Sequence, residues 1–272
     1  MRIDINDPTD PRIEVYQGLR DHQLRRKREL PGGDMAGVFI AEGDIVVERA
    51  VRAGYRLESI LVDAKRTRPF PAVVTPDLPV YACGPDVLIR ITGYHLHRGA
   101  LACFRRRSLP TFDEVVSAAR TVAVLENINN PTNLGVILRC AAGLGIDAFL
   151  MDPTCCDPLY RRSGRVSMGE AYRLPYCRLD RFPDGLAPLS RAGFTVLALT
   201  PAPDAIGLDQ LRLEPDEPVA VMLGAEGPGL STGAMAAADL RIRIPMSNPV
   251  DSINVGSAAA VAFYGVGLAR RH

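Results

Sequence analysis

Apolar residues in this chain fall into short continuous runs set off by polar, proline- and glycine-bearing stretches, a pattern of buried strands alternating with short helices. In the first hundred residues the runs GVFIAEG (37–43), LESILVD (57–63), PVYAC (79–83) and ALACF (100–104) predict strands. Residues 44–53 predict a helix stopped by Gly54, and Pro85 opens a short one. Ahead of these, apolar side chains at 13, 16, 19 and 24 have a loose helical spacing with arginines between them, which predicts an N-terminal basic helix over 12–29. The segment RRRSLPTFD (105–113) is charged and carries a proline, so the chain is divided there into a small α/β domain, 1–107, and a second domain, 108–272.

In the second domain TVAVLEN (121–127), DAFLMD (147–152), FTVLALT (194–200), PVAVMLG (218–224) and LRIRIP (240–245) predict strands, with helices from about 133 to 145 and from about 252 onward. Strands that are apolar throughout and alternate with helices predict an α/β fold with a mostly parallel sheet covered on both faces. Ligands of such sheets bind beyond the carboxyl ends of the strands, and every notable polar cluster in this half follows a strand.

Composition changes this picture little. The chain has 272 residues, 47% hydrophobic and 23% charged, as in an ordinary globular protein, and no apolar run reaches the length of a membrane span. The opening MRIDINDPTDPRIEV lacks the basic start and apolar stretch of a secretory signal, so a cytoplasmic protein is expected. Six cysteines without a CxxC pair are read as reduced thiols. Net charge is only +1, yet the cations are clumped: Arg25-Arg26-Lys27-Arg28, Lys65-Arg66 with Arg68, Arg105-Arg106-Arg107, and Arg161-Arg162 with Arg165. Such patches suit phosphates, and each taken singly equally suits a solvated face. His95 and His97 would share one face of a strand, but no third ligand stands at suitable spacing, so no metal is expected.

Three clusters carry candidate chemistry. NINNPTNLGVILR (127–139) leads from a strand end into a helix. Asn133 and Arg139 lie about 240° apart around a helix, at roughly 100° per residue, so they share a site only if Asn133 belongs to the turn. A helix cap and a plain surface arginine are the structural alternatives. VMLGAEGPGLS (221–231) runs from an apolar strand into a glycine-rich loop with one carboxylate, Glu226. Its glycines let a ligand reach the main chain, while it has neither the GK[ST] of a phosphate-cradling loop nor the GxGxxG dinucleotide spacing. IPMSNPVDSINVGSAAAVAFYG (244–265) brings Ser252 and Asn254 to the start of a helix of small residues. Backbone donors there favour an anionic oxygen, and a capping residue is equally at home. The small residues from Gly256 to Ala260 predict close packing against another backbone.

In order and spacing these clusters resemble the three signature motifs of the SpoU family of RNA 2′-O-methyltransferases, within the SPOUT class, over about residues 120–270. The resemblance implies a deep C-terminal trefoil knot in the α/β domain, S-adenosyl-L-methionine as cofactor, an RNA substrate, a homodimer, and neither metal nor membrane. It implies Asn133, Arg139, Glu226, Ser252 and Asn254 as catalytic residues, and Leu199, Gly224, Ile244, Met246 and Ile253 as cofactor contacts. Ile253 stands where the family commonly has leucine, a change that keeps volume and apolarity. A guanidinium with a pKa above about 12 is a poor base, so Arg139 is expected to stabilise the developing alkoxide and an adjacent phosphate, held in place by Glu226. The first domain, with FIAEGDIVVERAV near its start and GYHLHRGALA near its end, resembles a small ribosomal-protein-like RNA-binding module, and such an extra domain favours ribosomal over transfer RNA. A transfer-RNA 2′-O-methyltransferase, a base-methylating relative and a non-catalytic RNA-binding accessory protein of the same fold are the alternatives.

Overall fold

The structure, a computed structural model of the chain, describes residues 1–20, 28, 32–70, 74–96, 99–247 and 252–270. Residues 25–27 of the first basic patch and His97 lie outside them. The chain forms two compact units: Met1–Ser108 with Pro158–Arg173, and Leu109–Asp157 with Leu174–His272.

The first unit holds a five-stranded sheet of β1 (Arg2–Ile5), β2 (Val38–Glu42), β3 (Leu57–Asp63), β4 (Val80–Cys83) and β5 (Leu101–Arg105), ordered β1-β4-β3-β5-β2. Helices α1 (Asp44–Arg52) and α2 (Pro85–Thr92) follow β2 and β4, and Gly93 ends α2 at φ +82°, a conformation a side chain would resist. Strand β1 was not legible in the sequence because four residues, RIDI, carry too little alternation. Of the predicted helix over 12–29, residues 21–27 and 29 lie outside the described residues, and the described part begins as a short 3₁₀ turn, Pro11–Tyr16, ending before Gly18 at φ +60°. Its buried Ile13 and Tyr16, with Leu19, fill the core beside Ile40, Leu61 and Leu101, so the spacing that suggested a helix is that of a core-packed irregular segment.

Segment Pro158–Arg173 packs within this first unit although it lies well beyond residue 108 in sequence. It contains α5 (Arg161–Val166), numbered after α3 (Phe112–Ser117) and α4 (Pro131–Gly143). Tyr172 packs its ring 5.2 Å from Phe39, and a Cβ on Gly164 would fall 2.0 Å from the Tyr172 hydroxyl, so glycine is required there. Glu42 accepts from the guanidinium of Arg161, from Arg165 at 2.8 Å and from the Tyr94 hydroxyl at 3.1 Å. Glu42 and Arg161 side chains are only 7% and 8% exposed. Glu42→Ala would take the carboxylate from a buried guanidinium, and chemical denaturation is expected to show a loss of about 3 kcal/mol; an unchanged midpoint would mean water reaches Arg161 freely.

The second unit is built on a seven-stranded sheet whose strands all run parallel, ordered β10-β12-β9-β11-β6-β7-β8. These are β6 (Thr121–Leu125), β7 (Ala148–Met151), β8 (Tyr176–Arg178), β9 (Thr195–Leu199), β10 (Ile206–Gly207), β11 (Val219–Leu223) and β12 (Leu240–Arg243). Alternate residues Val122, Val124, Val196, Ala198, Ala220 and Met222 meet α3 and α6 (Ala187–Arg191), while Ala123, Leu125, Leu197, Val221 and Leu223 between them are equally buried. Burial on both faces is why these strands read as unbroken apolar runs. After α7 (Thr232–Ala236), the last helix, α8 (Val255–Ala269), packs along α4. A Cβ on Gly256 would come 2.7 Å from Val136 Cγ1, which accounts for the small residues at the start of α8. Burial pushes the Cys177 thiol in this core up to about 11, and none of the six cysteines is in a disulfide.

Candidate functional site

Strands β9, β11 and β12 lie side by side, and their carboxyl ends open onto one cavity of about 490 Å³. Leu199 closes it from the end of β9, Gly224 from the end of β11, and Ile244 and Met246 from the segment after β12. Ile253 completes the apolar wall, with Glu226, Ser252 and Asn254 at its polar side. All five expected cofactor contacts and three of the five expected catalytic residues thus line one space.

The glycine loop shapes this space through its backbone. Ala225 and Gly229 form a two-residue bridge, with the Gly229 N–H donating to the Ala225 carbonyl at 3.0 Å. A Cβ on Gly224 would lie 2.2 Å from the Gly229 carbonyl carbon and 2.3 Å from the Leu230 nitrogen, so only glycine lets the loop fold back. Main-chain groups are thereby left facing the cavity, as recognition of a small polar cofactor needs.

Three polar side chains far apart in sequence meet at its edge. The Asn133 amide donates to Glu226 at 2.7 Å, and the Asn254 amide donates to Asn133 Oδ1 at 3.1 Å and to the other Glu226 oxygen at 3.3 Å. Asn254 also caps α8, its Oδ1 accepting from the Gly256 N–H at 2.9 Å. The capping side chain therefore also lines the cavity, where the sequence had offered capping as the structural alternative. Ser252 stands exposed two residues before the cap.

Asn133 is the third residue of α4, not part of the turn, and Asn130 caps that helix. Arg139 accordingly lies on a different, exposed side of α4, and its side chain makes no hydrogen bond or ion pair among the described residues. Glu226 holds Asn133 and Asn254, not Arg139, which corrects the expectation that this carboxylate positions the arginine. Six helical residues turn the two side chains apart, and the carboxylate reaches only one of them.

One supporting residue was missed. Glu126, buried at the end of β6, accepts from the Ser231 N–H at 2.8 Å and so anchors the far end of the glycine loop. A carboxylate closing an apolar run reads as a strand terminus, and its partner lies 105 residues away. Among the described residues no group of three or more His, Cys, Asp or Glu has metal-holding geometry, and no helix is long and apolar enough to cross a membrane.

The model of the SpoU rRNA methylase family matches residues 120–264. A Mycobacterium bovis protein named as an uncharacterized tRNA/rRNA methyltransferase is 42% identical over 267 residues, 96% of this chain and 90% of that protein. A Synechocystis protein of the same description is 27% identical, covering 89% of this chain and 88% of its own. Among solved structures, an RNA 2′-O ribose methyltransferase superposes with a TM-score of 0.75 at 26% identity, covering all of both chains. An AdoMet-bound rRNA methyltransferase from Sinorhizobium meliloti superposes at 0.76 over 100% of this chain and 98% of that one, at 22% identity, a likeness of fold.

Proposed function

Since this chain belongs to the SpoU rRNA methylase family and is an RNA methyltransferase of the SPOUT fold, we propose that it methylates a ribose 2′-hydroxyl of ribosomal RNA in the cytoplasm, using S-adenosyl-L-methionine. The observation that carries this reading is the convergence of Leu199, Gly224, Ile244, Met246 and Ile253 with Glu226, Ser252 and Asn254 on one cavity. Its volume of about 490 Å³ lies within the range of roughly 300–1,000 Å³ usual for small-molecule sites, and its wall is a glycine loop whose fold-back a Cβ on Gly224 would block. Bound there, the cofactor supplies an electrophilic sulfonium methyl. The loop from Gly224 to Leu230 offers main-chain donors and acceptors to its polar groups, and Leu199, Ile244 and Ile253 exclude water.

Transfer to a hydroxyl is then chiefly a matter of placing the nucleophile. Asn133, Glu226 and Asn254 form a braced polar edge, with Ser252 beside it, against which a ribose would be oriented. Arg139, exposed and with no hydrogen bond or ion pair among the described residues, is suited to a phosphate of the RNA and to the negative charge developing on the 2′-oxygen. Its guanidinium stabilises charge and does not remove the proton.

Transfer of labelled methyl to unmodified ribosomal RNA and, separately, to transfer RNA, followed by nucleoside analysis, tests this. A 2′-O-methylnucleoside in the ribosomal pool that vanishes with Glu226→Ala is expected. A methylated base would overturn the ribose assignment, and product only in transfer RNA would overturn the choice of substrate.

The same reading includes a homodimer. On α8, Val261 and Tyr264 are three residues apart on one face and remain 42% and 58% exposed. Sedimentation is expected to give a dimer for the wild type and a monomer for Val261→Asp with Tyr264→Asp; a wild-type monomer would refute it.

A further inference from the structure

A basic loop in the first unit is unused by the methyl-transfer site. The chain leaving β3 lines a cavity of about 380 Å³, walled by Asp63, Lys65, Arg66, Arg68 and Leu96 among others. The three cations among the described lining residues differ in kind. The Arg66 side chain is only 8% exposed and is consumed internally: it donates to both Asp44 oxygens at 3.0 and 2.9 Å, to the Arg68 carbonyl at 3.0 Å and to the Pro69 carbonyl at 3.0 Å. It also lies 5.0 Å over the Phe70 ring. Asp63, a carboxylate of the wall, accepts from the Lys65 backbone N–H at 2.8 Å. These bonds fix the loop. Lys65 and Arg68 remain exposed, and neither side chain has a hydrogen bond or ion pair among the described residues. Phe70 beside them keeps 36% of its surface exposed.

A guanidinium already bidentate on a carboxylate is poorly placed to take a phosphate, whereas two unpaired cations on a pinned loop take one without reorganising. An exposed aromatic next to them matches the other surface that a nucleotide offers, the face of its base. Bases in a duplex are stacked and hide that face; bases in unpaired RNA are free to present it.

We infer that the Lys65–Phe70 loop is a second RNA-binding site, in which Lys65 and Arg68 hold the backbone phosphates of an unpaired segment and Phe70 stacks on one of its bases. The inference rests on the RNA substrate proposed above and adds a site for it in the first unit.

The test is anisotropy of labelled oligouridine, and of a labelled RNA duplex, titrated with the full chain at several salt concentrations, alongside S-adenosylmethionine binding. Lys65→Ala with Arg68→Ala is expected to weaken oligouridine binding about tenfold and to lower the slope of log affinity against log salt by about 1.4, the value for two lost single-strand phosphate contacts. Phe70→Leu is expected to weaken oligouridine binding and leave the duplex unchanged. Arg52→Ala with Arg56→Ala removes the same charge from exposed positions and is expected to change little. Cofactor affinity stays at the wild-type value in all of these.

Equal losses in the two double variants would overturn the site, because net charge alone would then explain them. A Phe70→Leu effect shared by the duplex would overturn the unpaired segment. Wild-type protein that binds cofactor but neither RNA would remove the RNA reading together with this site.

Discussion

Gly224→Ala is expected to lower S-adenosylmethionine affinity by at least about 100-fold, or close to 3 kcal/mol, in isothermal titration. The new methyl would lie 2.2–2.4 Å from the Gly229 carbonyl group and the Leu230 nitrogen. Both are backbone, so no rotamer change relieves the clash and the loop itself must swing away. That loop is one wall of the cavity, and Leu230 is tied on through the Ser231 N–H to buried Glu126 at 2.8 Å. Relief therefore opens the cavity or breaks the anchor. Gly227→Ala is the control: it has a positive φ, +95°, which Gly224 does not, but nothing lies within 4 Å of its would-be Cβ. It is expected to carry only backbone strain, of order 1 kcal/mol, and to bind cofactor with at most a tenfold loss. Near-wild-type affinity in Gly224→Ala would show that the loop's fold does not define the site.

Asn254→Asp is the second large effect. The substitution keeps the Oδ1 that caps α8 and removes the amide that donates to Asn133 at 3.1 Å and Glu226 at 3.3 Å. Helix stability should hold, since aspartate caps as well as asparagine. Two carboxylates now face each other, repel, and push one pKa upward. Methyl transfer near neutral pH is expected to fall on the order of 100-fold, the cost typical of a displaced positioning group. The sign with pH follows: protonating one carboxyl at lower pH restores a donor between the pair, so the variant's activity relative to wild type should rise as pH falls from 8 towards the raised pKa. A ratio that stays flat or falls over that range would mean that the Asn254–Glu226 contact plays no part in the reaction. A Tm drop as large as that of Asn254→Ala would mean the cap was disturbed as well.

Much of the second unit could be read directly from residue order. Strands β6, β7, β9 and β11 are buried on both faces, so each one writes itself as an apolar run, whereas β12 alternates Leu240 and Ile242 with arginines, of which Arg241 is exposed; the polar stretches after β6, β11 and β12 mark where those strands end. The two-residue β10 and three-residue β8 escaped because so few residues establish no period. The order β10-β12-β9-β11-β6-β7-β8 escaped for a different reason. An apolar run records that a strand is covered, and any neighbour with an apolar face covers it equally well.

The candidate site divides in the same way. Residue types and their local settings were legible: a carboxylate in a glycine loop, an asparagine before a helix, a glycine where a helix meets another backbone. Each is a short-range matter of backbone conformation or capping, settled within a few residues of the chain. The contacts between them were not. Asn133 meets Glu226 across 93 residues and Asn254 across 121, and Arg139, only six residues from Asn133, is turned away by the helix they share. Likewise the segment Pro158–Arg173 joins the first unit because Glu42 and Phe39 supply a charge and a ring for Arg161 and Tyr172. Local physics assigns each residue its conformation; which distant side chains then meet depends on how the buried sheets stack their strands, and that is a property of the packed chain as a whole.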